Sequence, residues 1–196
     1  MPLRTGRRDW LWAVTIVVLV GLAGFVVVAL LFGGEDEAET IDEVAGVPCQ
    51  TGEQLKYHGH VRVAISIEGE EFLIPRNTGI RYNFPTPDSP DGPTPEPEFV
   101  CIFWLHTHSD QLVHLEAPEK TDFTLGQFFE IWGEPLSETQ LLDRTAVPEE
   151  TEIRAYFNGE LWDGDPADIP LNNQDIISLQ YGPPFVDPPT EVVEES

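Results

Sequence analysis

From Trp10 to Phe32 the chain carries 23 consecutive residues without a charge. As a helix rising about 1.5 Å per residue this run is roughly 34 Å long, against a bilayer hydrocarbon core of about 30 Å. It divides the sequence into a short basic head and a long acidic remainder. Arg4, Arg7 and Arg8 precede it; Glu35, Asp36, Glu37 and Glu39 follow. Basic flanks stay cytoplasmic, so the remainder is expected outside the membrane. Trp10 and Trp12 suit the inner interface. A cleaved signal peptide would have an apolar core of only about 7–15 residues and a small-residue cleavage site. Neither is present. The expectation is an uncleaved single-pass anchor in the cell membrane: residues 1–9 cytoplasmic, 10–32 transmembrane, 33–47 a mobile acidic linker, and an extracytoplasmic domain beyond.

The formal net charge is −25, and three of the ten basic residues sit in the N-terminal flank. Such a surface repels nucleic acid and anionic lipid, so nucleic-acid partners are excluded. It attracts cations in general, which scattered carboxylates do without forming a site. The two cysteines, Cys49 and Cys101, both fall on the outer side, where disulfides persist. They are expected to pair. The competing role, a thiolate metal ligand, is discounted for Cys101, which lies five residues from His106 and on the other face of a strand.

Along the expected domain, 48–182, the periodicity is mostly that of strands. Val61, Val63, Ile65 and Ile67 alternate with Arg62, Ala64 and Ser66. Glu68-Gly69 turns the chain, and Glu71 to Ile74 returns. Residues 85–98 hold six prolines and read as an exposed loop. Thr124 can cap a helix over Leu125 to Trp132, with Leu125, Phe128, Phe129 and Trp132 on one apolar face and Gly133 and Pro135 ending it. Ser137 to Asp143 reads as a second short helix. Glu152 to Phe157 and Ile176 to Tyr181 read as strands, with Asn158-Gly159 a tight turn. Residues 183–196, proline-rich and acidic, read as a disordered tail. About 135 residues make one ordinary domain. Its fold class is α+β, with β-hairpins packed on one helix.

All five histidines fall in two strand-like segments. His58 and His60 open the first hairpin; His106, His108 and His114, with Glu116, lie in Cys101 to Glu116. Residues two apart on a strand share a face, so each His-x-His pair points one way. A five-residue loop from Ser109 to Val113 would set His108 opposite His114 and His106 opposite Glu116, all on one side. A four-residue loop would turn His114 and Glu116 away. Neutral imidazole suits Zn(II), Cu(II), Ni(II) and Fe(II), and an adjoining carboxylate fits Zn or Fe; the metal expected here is Zn or Cu. His106, His108 and His114 are the expected primary ligands, joined by His58 and His60. Glu116 is a further ligand or orients a ring. Asp110 reads as a plain loop residue. The bland alternative is a hydrogen-bonded histidine surface that titrates near pH 6.5.

Two resemblances bear on this. FTLGQFFEIWG, IRAYFNGE and DIPLNNQDIISLQYG resemble the helix, turn and last strand of β-grasp (ubiquitin-like) domains over about 60 residues, which implies a fold and no one activity. The domain as a whole resembles a group of bacterial and archaeal extracytoplasmic proteins of unassigned activity. The shared features are His58-Gly59-His60, Cys101, His106-Thr107-His108, His114-Leu115-Glu116 and Phe123 to Phe129. JAMM-type metallohydrolases continue a His-x-His with Pro and then Ser-x-x-Asp. Here Ser109 replaces the Pro and no Ser-x-x-Asp follows. Cupins place a Glu three or four residues beyond His-x-His, whereas Glu116 lies eight beyond His108. No nucleophile arrangement or phosphate loop is present. The sequence thus points to a membrane-anchored, non-catalytic protein binding Zn or Cu. A metal-free scaffold for an envelope protein and a metal-dependent hydrolase are the alternatives.

Overall fold

The computed structural model describes residues 39–83 and 97–191. The expected anchor and cytoplasmic flank lie outside these residues, as do the first part of the linker, most of the Pro-rich loop and the end of the tail. Among the described residues no helix is long and apolar enough to cross a membrane.

The first half contains β1 (Thr40–Val44), β2 (Val47–Gln50), β3 (Tyr57–Ile67), β4 (Glu70–Phe72), β5 (Ile80–Asn83), β6 (Glu98–Phe103), β7 (Leu105–Thr107), β8 (Leu112–Ala117) and β9 (Phe123–Thr124). Helix α1 (Leu125–Trp132) follows. Then come β10 (Leu136–Ser137), β11 (Gln140–Leu141), β12 (Arg144–Thr145), β13 (Glu152–Phe157), β14 (Glu160–Leu161), a 3-10 turn at Pro166–Asp168, β15 (Pro170–Leu171) and β16 (Ile176–Gly182). The fold is α+β and mostly strand.

The main sheet has the order β14-β13-β16-β3-β8-β7, with β4 also paired to β3. Its central pair, β3 and β16, is parallel; the other pairs are antiparallel. A second sheet, β1-β2-β6-β5, is clipped by the Cys49–Cys101 disulfide between β2 and β6. The chain passes from this sheet into the main one at Trp104, whose indole N–H donates to Gln50 Oε1 at 2.9 Å.

Period-two alternation gives the main sheet two unlike faces. Val61, Val63 and Ile65, Leu105, Val113 and Leu115, and Ile177 and Leu179 are buried in one cluster with Leu125, Phe128 and Phe129 of α1. The helix forms as read from the sequence. Thr124 Oγ1 accepts from Gln127 N–H, the Gln127 side chain accepts from Thr124 N–H, and Gly133 closes it in the left-handed conformation. The residues between, His58, His60, Arg62 and Ser66, His106, His114 and Glu116, and Ser178 and Gln180, occupy the opposite, polar face.

Several expectations need correction. Residues 40–47, read as linker, form β1 and the start of β2, because Ala45 and Gly46 both take positive φ and close a tight turn. The acidic composition concealed that turn. Ser137–Asp143 is not helical: residues 136–145 make the meander β10-β11-β12, with Leu141 buried and Leu142 at positive φ. Residues 183–191, read as disordered, fold back on the polar face. Val186 exchanges two hydrogen bonds with the buried Gln180 side chain, and Arg62 donates to the Glu191 carbonyl at 2.6 Å. Glu98, given to the Pro-rich loop, begins β6.

Candidate metal centre

Strands β3, β8 and β7 lie side by side, and their pairing sets the cluster. His60 faces His114, His114 faces His106, and His58 faces Glu116. Cross-strand partners point to the same side, so these five residues share the polar face. The expected register was off by two: His106, not His108, stands opposite His114. Leu105 and Leu115 pair instead and both enter the core. The loop still spans five residues, now 108–112, held by Gln111 at positive φ and by Leu112 N–H donating to Asp110 Oδ1. A two-residue slip preserves parity, which is why the imidazoles still converge.

His114 is the centre. Its ring centroid lies 4.6 Å from His60, 4.8 Å from His108, 5.3 Å from His106 and 5.9 Å from His58. Gly79 fixes the far side. It has positive φ, and a Cβ there would collide with the Leu105 carbonyl and press on His106 Cα, so β7 can lie as it does only over a glycine.

The two most buried imidazoles each have one nitrogen committed. His106 Nδ1–H donates to the Phe103 carbonyl at 2.9 Å, leaving Nε2 as a bare acceptor. His114 Nε2–H donates to Asp110 Oδ2 at 2.8 Å, leaving Nδ1. His106 Nε2, His114 Nδ1 and Glu116 Oε2 are buried with no hydrogen-bond partner among the described residues. Both nitrogens face the Glu116 carboxylate: Glu116 Oε1 is 3.4 Å from His58 Nε2 and 3.5 Å from His114 Nδ1, and Glu116 Oε2 is 3.9 Å from His106 Nε2. Lone pairs aimed at a buried carboxylate repel it unless a cation lies between, whether a proton or a metal. A tetrahedral ion with bonds of about 2.1 Å spaces adjacent donors about 3.4 Å apart. Three groups of residues bring ligand atoms within 4.8 Å of one another: His58, His60 and His114; His106, His108 and His114; and Glu53, His106 and Glu116.

The pKa directions follow from the same contacts. Burial pushes His106 down to about 4, only partly opposed by the Glu116 charge. Burial also lowers His114, but Glu116 and Asp110 outweigh it and raise the pKa above its usual value. Burial would raise Glu116 and Asp110; the His114 contact, with His106 and His58 acting on Glu116 and the Leu112 amide on Asp110, brings both below the carboxylate range. The signs differ. The unfolded chain protonates His106 near pH 6.5 and the folded chain does not, so the His106 contribution is present above pH 6.5 and is lost toward pH 4. The shift corresponds to roughly 3 kcal/mol. Glu116 and Asp110 also lose stabilisation as acid protonates them, whereas the His114 contribution is full below pH 6.5 and fades as pH rises through its elevated pKa. The metal-free chain, melted in EDTA, should therefore lose stability from pH 6.5 to 4, and His106→Leu should reduce that slope. A flat wild-type profile would contradict the burial of a neutral His106.

Two participants were not found from sequence. Asp110, read as a plain loop residue, orients His114. Glu53, four residues beyond Cys49, enters from the loop between β2 and β3, with Oε1 3.8 Å from His108 Nε2. No spacing rule joins Glu53 to a histidine over fifty residues away; only the disulfide beside it hinted at proximity. No family model matches the chain, and no match was found among curated proteins or solved structures.

Proposed function

We propose that this chain is a membrane-anchored extracytoplasmic protein that binds Zn or Cu through His58, His60, His106, His108, His114 and Glu116, without catalysis of its own. The observation that carries this reading is the set of buried, unpartnered atoms His106 Nε2, His114 Nδ1 and Glu116 Oε2, gathered around one carboxylate. The pattern in which Asp110 holds the far nitrogen of His114 is the one by which carboxylates orient metal-binding imidazoles. Both cysteines are in the disulfide and the single methionine is Met1, so the cluster offers nitrogen and oxygen donors only. That favours Zn(II) or Cu(II) over Cu(I), which prefers sulfur. The frame is read as β-grasp-like. A parallel central pair, β3 with β16, an antiparallel β13 beyond it, and one helix between β8 and β13 support that reading. The sequence likeness to extracytoplasmic proteins sharing the same histidine pattern supports the location.

The test is direct. The purified chain should take up Zn or Cu stoichiometrically at pH 7.5 and release it as the rings protonate below about pH 6. His106→Ala with His108→Ala should lower both the uptake and the metal-dependent rise in melting temperature. A chain that takes up neither metal, and melts alike with and without the substitutions, would instead be a scaffold for an envelope partner.

A further inference from the structure

The cluster holds more donors than one ion can use. His58, His60 and His114 form one triad and Glu53, His106 and Glu116 another, with no residue in common; a third, His106, His108 and His114, runs between them. The Glu116 carboxylate stands between them and shows a different oxygen to each. Oε1 faces His58 Nε2 and His114 Nδ1 at 3.4 and 3.5 Å; Oε2 faces His106 Nε2 at 3.9 Å. The buried unpartnered atoms divide the same way, His114 Nδ1 on one side, His106 Nε2 and Glu116 Oε2 on the other.

We infer that this is a two-ion site in which Glu116 bridges a pair of divalent cations. The inference rests on the metal-binding reading above and adds the number of ions and their arrangement. A tetrahedral ion takes four donors. One ion at His58, His60, His114 and Glu116 Oε1 would leave His106 Nε2 and Glu116 Oε2 buried and unused. One ion at Glu53, His106 and Glu116 Oε2 would leave His114 Nδ1 in the same state, and one at His106, His108 and His114 would leave Glu116 Oε2 so. Two ions use every buried donor. The first takes His58, His60, His114 and Glu116 Oε1. The second takes His106, Glu53 and Glu116 Oε2, with His108 beside it to complete four. A carboxylate that gives one oxygen to each ion suits the separation of about 3.5–4 Å found in two-metal sites.

The experiment counts ions and reads their distance. The full-length chain is stripped with chelator, loaded with Zn(II) and weighed by native mass spectrometry. Two Zn per chain are expected, falling to one in the His58→Ala/His60→Ala variant. In parallel the wild-type chain is loaded with two equivalents of Cu(II) for electron paramagnetic resonance. A half-field transition from coupled ions is expected, weakened or lost in Glu116→Gln. One Zn in the wild type, or two Zn persisting in the His58→Ala/His60→Ala variant, would overturn the two-ion inference and leave metal binding intact. No Zn and no Cu would overturn both. Should the variants fail to fold by circular dichroism, the wild-type spectrum decides: two Cu(II) giving only isolated-ion signals would refute the bridge.

Discussion

Substituting His114 with Ala should abolish tight zinc binding on the side of the cluster that holds His58 and His60, with a loss there exceeding the roughly 10–100-fold that follows removal of an outer partner alone. His114 lies on the middle of the three ligand-bearing strands, opposite His60 on one side and His106 on the other. It and Glu116 both reach the two halves of the cluster. Asp110→Asn is the graded companion. It keeps a hydrogen-bonding group near His114 Nε2 but removes the charge that raises the basicity of the ring, so it should fall within that 10–100-fold range. Competition against a chromophoric chelator at pH 7.5 measures both. His114 projects from the polar face, away from α1, so the metal-free variant should still fold. Wild-type affinity in His114→Ala would leave no centre to defend.

Removing the disulfide should have the largest effect on stability. Cys49 and Cys101 are 52 residues apart in sequence and both are buried. On the chain-entropy estimate, releasing a loop of this size costs about 4 kcal/mol. For a domain of this length that lowers the melting temperature by roughly 8–16 °C. Cys49→Ala with Cys101→Ala should show this by calorimetry. The same change should weaken metal binding, because Cys101 anchors β6 just before it becomes β7, which carries His106, and Cys49 precedes the loop that presents Glu53. An unchanged melting temperature would show that the bond constrains nothing the fold does not already hold.

The sequence exposed those features whose physics is local. The cap at Thr124, the stop at Gly133, the turn at Glu68-Gly69 and the shared face of each His-x-His pair all depend on neighbours within a few residues. The register at His106 does not. It is decided by Leu105 and Leu115 entering a core that α1 completes, which no count of loop residues contains. Asp110 looked like solvent-facing loop because its partner lies across the turn and not beside it. The linker and tail mislead through composition: an acidic, glycine-bearing stretch and an acidic, proline-bearing one both read as unable to pack. Yet β1 needs only backbone pairing, and Val186 needs only the Gln180 amide. The apolar run from Trp10 to Phe32, read as a membrane span, and its flank lie outside the described residues.

Strand β3 carries two of the imidazoles but takes its parallel neighbour, β16, from the far end of the chain. During synthesis every candidate donor has been joined to the chain by residue 116, well before that neighbour exists. A half-made chain therefore displays loose histidines without the frame that would gather them. A chain cut short before Ile176 would carry every candidate donor while β3 lacked the parallel neighbour that closes its other edge.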